Sequence, residues 1–433
     1  MKTLNICIAG IGTVGSNVIL SLINNENFII KKAGILFKIL AISSKNKYKK
    51  RIVDTKDFEW CDNPLNLTEI KGCDVLIELI GEEKGISFEL VKKALENKIH
   101  VVTANKALLA QNGNELFQIA EKNNVLLLFE AAVGGGIPII KSIKHSIFLN
   151  KIKKISGILN GTTNFILTEM EKNNLHFEEV LKQAKKNGYA ESDPTNDIEG
   201  IDASHKLTLL STICFGSKIN LEAAKYTGIS NIHIEDIRNA NKLGYKIKLI
   251  SESEIIDNKI INNTEPKLIK IDNLLAKVDG VLNAIKLETD NLNSLLFTGE
   301  GAGGKATASS IISDLYEIAI NSNIPSLGYK TNQLRSFDQF DHSSITSSFY
   351  LRIITKDITG VLSKITTDLK EEGISIETIL QIPDSSKKID SIPIIIITHD
   401  TKKNLLLSAL NKIEKQDFVL EKITIISIEK NSH

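Results

Sequence analysis

The sequence predicts an α/β protein in three parts: a doubly wound, nucleotide-binding parallel sheet, a central α+β domain, and a small α/β module towards the C-terminus. Three observations predict it. A glycine turn, "GIGTVG", lies between a strand-like run and a helix-like run near the start. Strand and helix patterns then alternate as far as Glu130, and beyond Thr346 the order changes to β-α-β-β-α-β.

The chain has 433 residues, too many for one core. Its 53 basic and 52 acidic side chains leave a net charge of +1, which argues against nucleic acid or an anionic membrane surface as the main partner. Cys7, Cys61, Cys73 and Cys214 are scattered without metal-type spacing, as expected for a reduced protein of the cytoplasm. No basic-then-apolar leader and no long apolar run is found, so a soluble chain without a membrane partner is expected. With the nucleotide motif opening at Gly10, no upstream domain is expected either.

In the first part, "LNICIAGIGTVGSNVILSLI" reads as strand, turn and helix. Gly10 permits a tight turn, Gly12 lets the backbone approach a pyrophosphate, and Gly15 lets the helix pack on the sheet. Thr13 and Val14 then begin a helix whose unpaired N–H groups face the phosphates. The second strand, "FKILAIS", ends where an acid usually meets the ribose, yet no Asp or Glu occurs from Asn27 to Val53. Lys45 and Lys47 come after it, which favours NADP over NAD, although a solvated basic loop explains them equally. The strands "CDVLIELIG", "HVVTA" and "VLLLFEAA" come next, separated by helices. Ligands gather at the carboxyl ends of such strands, where "TANK" places Thr103 and Lys106.

The second part opens with "AAVGGGIPIIKS", a glycine run before a helix headed by Pro138. "ISGILNGTTNFILTEM" is next, as strand, turn and helix, with Thr162 and Thr163 as candidate caps. "GYAESDPTNDIEGIDASHK", from Gly188 to Lys206, then concentrates Glu191, Asp193, Asp197, Glu199 and Asp202 in a chain with no overall charge imbalance. If "GIDASHKLTLLSTICF" is a helix, Asp202 and Lys206 share a face. A lysine among carboxylates suits a small substrate carrying both an ammonium group and a reacting oxygen.

Taken in order, "GIGTVG", "VVTANK", "FEAAVGGGIP", "GILNGTTNFIL", "GYAESDPTNDIEGIDASHK" and "GEGAGGKATASS" resemble homoserine dehydrogenase. From "FYLRIITKDITGVLSKITTDLKEEGISIETILQIP" onward the chain resembles an ACT domain, an amino-acid-sensing module. The resemblance implies reversible NAD(P)H-dependent reduction of L-aspartate 4-semialdehyde to L-homoserine, feeding threonine, methionine and isoleucine synthesis. It implies substrate-binding acids at Glu191, Asp197 and Asp202, and an acid/base lysine at Lys206, with Lys106 polarising the same oxygen or itself donating the proton. It places Gly188 and Gly303 at the cofactor along with the first glycine turn, Thr103 and Lys106. It also implies a sodium or potassium ion held by Glu130, Val133, Gly135 and Ile137, since a glycine turn presents carbonyl oxygens freely. Lys305-Ala306 and Ile358-Thr359 stand where the families often carry proline. The expected division is residues 1–130 with 304–320 returning, 131–303, a linker 321–346, and 347–433. A homodimer or tetramer and allosteric threonine are further expectations of the resemblance, beside a purely structural module. The rival classes are another semialdehyde oxidoreductase and an inactive amino-acid sensor.

Overall fold

The computed structural model describes residues 1–82, 84–381 and 391–429. Six strands form a parallel sheet in the order Glu59–Cys61, Ile35–Ser43, Lys2–Ala9, Val75–Glu78, His100–Thr103, Leu127–Leu128. This is the order of a dinucleotide-binding sheet, with its switch point between Lys2–Ala9 and Val75–Glu78.

Both faces are buried, and the alternation of side chains along a strand decides which helices cover each. Ile6 and Ile8 point to one side and pack with Val18 and Ile19 of the Thr13–Asn24 helix and with Ile311 and Leu315 of the helix Gly304–Ala319. Cys7 lies on the other side, in one cluster with Leu90 of Ile86–Glu96 and Leu116 of Lys106–Lys122. The chain thus returns to the first unit after the central one. The last strand is shorter than its apolar run, because a 3-10 turn over Glu130–Ala132 replaces its end.

The central unit is an antiparallel sheet ordered Ser294–Glu300, Leu282–Thr289, Ile152–Ile158, Tyr245–Ile256, Lys259–Lys270. Helices Gly161–Asn173 and Ile201–Phe215 pack on it. Every residue from Asp202 to Phe215 is buried, so this helix is enclosed on all sides rather than amphipathic. The cap of Gly161–Asn173 is Asn160, whose Oδ1 accepts from Thr163 N at 2.9 Å. The expected caps do other things: Thr162 Oγ1 donates to the Tyr189 carbonyl, and Thr163 Oγ1 donates back to Asn160.

The C-terminal strands run Thr424–Ile428, Phe349–Lys356, Ser391–Thr398, Ile376–Gln381, all antiparallel, with helices Val361–Glu371 and Lys403–Ile413 on one face. This is the ferredoxin-like arrangement. Ile382, the expected end of "ISIETILQI", lies outside the described residues.

The polar segment before this module reads as a linker, but it is fastened to the body. Arg335 N donates to the Gly216 carbonyl at 2.9 Å and Lys218 N to the Arg335 carbonyl at 2.8 Å. Among the described residues the two sheets also fuse into one, through the parallel pairs Lys267↔Ser427 and Leu268↔Ile428. Buried charge locks the junction: Arg352 Nε meets Asp236 at 2.7 Å, the Tyr350 hydroxyl donates to the same carboxylate at 3.0 Å, and Lys267 lies between Glu252 and Glu429. Such groups are tolerated in an interior only when paired.

Candidate active site

At the switch point, Gly10 has φ +99°, and a Cβ there would fall 2.4 Å from the Leu79 carbonyl oxygen. Gly15 is restricted chiefly by its own turn, since a Cβ would lie 2.1 Å from the Gly10 carbonyl oxygen; close packing on the sheet is the lesser reason, with Leu79 Cδ1 at 3.6 Å. Gly12 differs from both. A Cβ there meets nothing within 4 Å, so its face is open, and the helix begins one residue later at Thr13, followed by Val14. Gly304 presses against Asn17 and Thr13, which brings the Gly303 turn to the mouth of the same crevice. Gly188 has φ +76° and an equally open face.

Glu78, fully buried at the end of its strand, organises the neighbouring loops. Its carboxylate accepts from Thr103 Oγ1 at 2.6 Å, from Ile80 N at 2.9 Å and from Ser87 Oγ at 3.1 Å. Thr103 Oγ1 in turn accepts from Asn105 N, and Asn105 caps the Lys106–Lys122 helix through Leu108 N. Lys106 is therefore the first residue of a helix whose start is fixed from beneath. An acid inside the apolar run "CDVLIELIG" was the available signal for Glu78; Asn105, quoted within "TANK", gave none beyond its place.

Lys106 reaches across to the buried Ile201–Phe215 helix. Its Nζ lies 3.1 Å from Asp202 Oδ1, while Lys206 Nζ lies 2.7 Å from Asp202 Oδ2 and donates to the Leu159 carbonyl at 2.9 Å. One carboxylate is thus bracketed by two ammonium groups from different domains. Burial alone would raise the Asp202 carboxyl, but Lys206 and Lys106 together hold it well below the ordinary carboxylate range. Asp202 in turn holds the Lys106 ammonium above the usual lysine range, against the effect of burial.

Asn160 ties a second acid to this pair, its Nδ2 donating to Asp197 Oδ1 at 2.7 Å and to Asp202 Oδ2 at 2.9 Å. Burial and the nearby Asp202 charge push the Asp197 carboxyl up. A cleft of about 290 Å³ opens over these groups, and Glu191, Asp197, Asp202, Lys106 and His205 line it. Lys206 lies beneath its wall, 8% exposed. Asp193 also faces the cleft while capping Thr195, and Glu199 is engaged by Ser230. Asn160 and His205 are additions that the sequence alone did not single out; the first looked like part of a turn.

Away from the cleft, Glu130 is buried, and each of its carboxylate oxygens accepts a backbone N–H, from Ile140 and from Lys141, both at 2.9 Å. Burial, and then the neighbouring Asp314, pushes its carboxyl up to about 7. Val133, Gly135 and Ile137 come after it in a tight turn where Gly134 and Gly135 have φ of +75° and +57°. The Gly135 carbonyl accepts from Ser310 Oγ at 2.6 Å, and the Ile137 carbonyl from Ile139 N at 2.8 Å.

Among the described residues no helix is long and apolar enough to cross a membrane. Three family models match the chain: homoserine dehydrogenase, NAD binding domain, over residues 10–130; homoserine dehydrogenase over residues 138–316; and ACT domain over residues 349–418. A homoserine dehydrogenase of Neisseria gonorrhoeae is 41% identical over 437 residues, spanning 99% of each chain, and one of Pseudomonas aeruginosa is 38% identical over 441 residues, spanning 99% of this chain and 100% of its own. The crystal structure of a homoserine dehydrogenase from Thiobacillus denitrificans matches with a TM-score of 0.92 at 37% identity over 99% of both chains. A hyperthermophilic archaeal homoserine dehydrogenase in complex with NADPH matches with a TM-score of 0.63 at 27% identity, covering 74% of this chain and 98% of that one. With an NAD-binding sheet, a matching central domain and an ACT module in one chain, this protein belongs to the homoserine dehydrogenase family, oxidoreductases acting on the CH–OH group of donors.

Proposed function

We propose that the chain reduces L-aspartate 4-semialdehyde to L-homoserine, reversibly, in the cytoplasmic synthesis of threonine, methionine and isoleucine. The observation that carries this reading is the placement of two lysines on opposite oxygens of Asp202, at the edge of an acid-lined cleft. In this scheme Glu191 and Asp197 hold the substrate ammonium. Lys206 gives its proton to the carbonyl oxygen as the alcohol forms, with Asp202 orienting its Nζ. Lys106 lies beside the same oxygen and stabilises the negative charge that develops there.

The open face of Gly12, with the following helix N-terminus, fits a pyrophosphate, so Gly10, Gly12, Thr13, Val14 and Gly15 would hold the dinucleotide, with Thr103, Lys106, Gly188 and Gly303 around it. When bound, the reduced nicotinamide supplies the hydride. NADP is the favoured form, because the loop after Ile35–Ser43 carries Lys45 and Lys47 and no acid. The assay that tests the whole reading is NADPH oxidation, then NADH oxidation, with L-aspartate 4-semialdehyde. Turnover with either supports it, and none with either sinks it.

The glycines permit a sharper check. Gly10→Ala places a Cβ against Leu79 at a backbone angle that side chains rarely adopt, and should cost about 1–3 kcal/mol of stability. Gly12→Ala, with open space and φ −86°, should melt like wild type yet bind NADPH more weakly. Equal melting losses in the two variants would count against this division of labour.

Glu130 also fits the expected monovalent cation, because a buried acid whose ionised form is disfavoured gains from a positive neighbour, and oxygens already accepting one hydrogen bond keep a second lone pair. Val133, Gly135 and Ile137 would supply carbonyl oxygens. A carboxyl whose folded pKa is raised contributes stability that is full below its unfolded value, about 4.3, and is lost as pH rises through the folded one. Sodium or potassium should therefore raise the melting temperature at pH 8 and not at pH 4, relative to tetramethylammonium at equal ionic strength. Glu130→Gln should erase the difference.

The limits 1–130 with 304–320, 131–303, 321–346 and 347–433 remain our division of the chain. We assign threonine as a ligand of the ACT module near the Thr355–Leu362 loop, and a homodimer or tetramer as the assembly. Millimolar threonine that leaves the initial rate unchanged would remove the first assignment.

A further inference from the structure

Asn283 stands on the Leu282–Thr289 strand opposite Gly299 and is wholly buried. Neither its Nδ2 nor its Oδ1 bonds any group among the described residues. A primary carboxamide has two donors and an acceptor, and a buried one is almost always paired because desolvation without compensation is costly. Its surroundings are glycine on two sides. A Cβ on Gly301 would fall 2.1 Å from Asn283 Cγ and Nδ2, and one on Gly161 would fall 3.5 Å from Oδ1. Gly161 directly follows Asn160, the residue that joins Asp197 to Asp202. Gly301 opens the turn to Gly303 and lies against Gly135, whose own Cβ would come within 2.5 Å of the Gly301 carbonyl. The carboxamide therefore lies between the segment that follows Asn160 and the turn that leads to Gly303.

We propose that Asn283 is a positioning residue for the nicotinamide end of the cofactor: on binding, the Gly301–Gly303 turn shifts and offers peptide groups to the Asn283 carboxamide, which pins the turn against the ring. The inference rests on the dehydrogenase reading above. Only glycine at Gly301 lets peptide and carboxamide come so close. Pairing of the carboxamide with the turn in the bound form favours the bound state, which is the differential interaction that a ligand-linked shift requires.

Asn283→Leu, which keeps the branching and the number of heavy atoms of the side chain while removing its polarity, separates this role from a structural one. Affinity for NADPH, read by fluorescence titration, should fall about tenfold, as expected for one lost hydrogen bond to the peptide. Affinity for 2′-phospho-ADP-ribose, which lacks nicotinamide, should not change; NADH and ADP-ribose serve if the wild type prefers them. An equal loss for both ligands, or unchanged NADPH affinity, would each overturn the proposal. Should the leucine chain not fold, Asn283→Ser must give the same split between ligands. A wild type that binds the dinucleotide but turns over no semialdehyde discredits the reading of the reaction, and the Asn283 comparison still reads binding.

Discussion

Lys206→Ala should fold and lose about 10²–10⁴-fold in kcat, the usual contribution of a positioned proton donor. The fold should survive because Asp202 keeps Lys106 and Asn160 as partners, and no buried charge is stranded. Lys206→Arg should be as slow. Its guanidinium restores the charge beside Asp202 but does not give up a proton at working pH. Circular dichroism with stopped-flow NADPH oxidation checks both variants. If Lys206→Ala keeps most of its turnover while Lys106→Ala abolishes it, proton donation belongs to Lys106.

Removing Asp202 should be the most damaging change to stability near the cleft. Asp202→Ala leaves Lys206 bonded only to the Leu159 carbonyl and strips Lys106 of its ion-pair partner, and breaking such a buried pair costs about 3–5 kcal/mol. The effect depends on pH with a definite sign. A carboxyl held below its ordinary value contributes stability that is present above about 3.9 and is lost as pH falls through the folded value. The gap between wild type and Asp202→Ala should therefore be full at pH 7 and close only in strong acid. Activity should change at the other end of the scale. Without Asp202 the Lys106 ammonium loses the main influence that raises it, so the alkaline limb of the rate profile should move to lower pH. Urea melts at pH 7 and pH 3, with a pH–rate series on Asp202→Asn, test both statements; an unchanged alkaline limb would separate Lys106 from the chemistry.

Much of this was legible because it is local. The spacing of Asp202 and Lys206 on one helix face, the strand-turn-helix at Gly10, and the order of the ferredoxin-like module are periodicities of two and 3.6 residues, which any stretch carries within itself. The helix from Ile201 was readable as a helix, but its burial on all sides was not, since that depends on what packs around it. Misreadings were also local choices decided elsewhere. Thr162 looked like a cap until the Tyr189 carbonyl claimed its hydroxyl, leaving Asn160 to cap the helix and join two acids. The polar run before Phe349 reads as a linker, and where it attaches was not legible, since Arg335 pairs it to Gly216 and Lys218 from elsewhere in the chain.

By itself the sequence determined the three-part α/β pattern, the open glycine turn, and a lysine one helical turn from an acid. Only the tertiary structure decided that Lys106 from the first domain meets Asp202 from the second, that Glu78 fixes Thr103 from below, and that the C-terminal sheet continues the central one through Lys267 and Leu268. The physical reason is that backbone pattern is set by neighbours along the chain, whereas a buried charge finds its partner only when separate elements close around it. Desolvation then makes that pairing obligatory, and no spacing in the sequence records where the partner will come from.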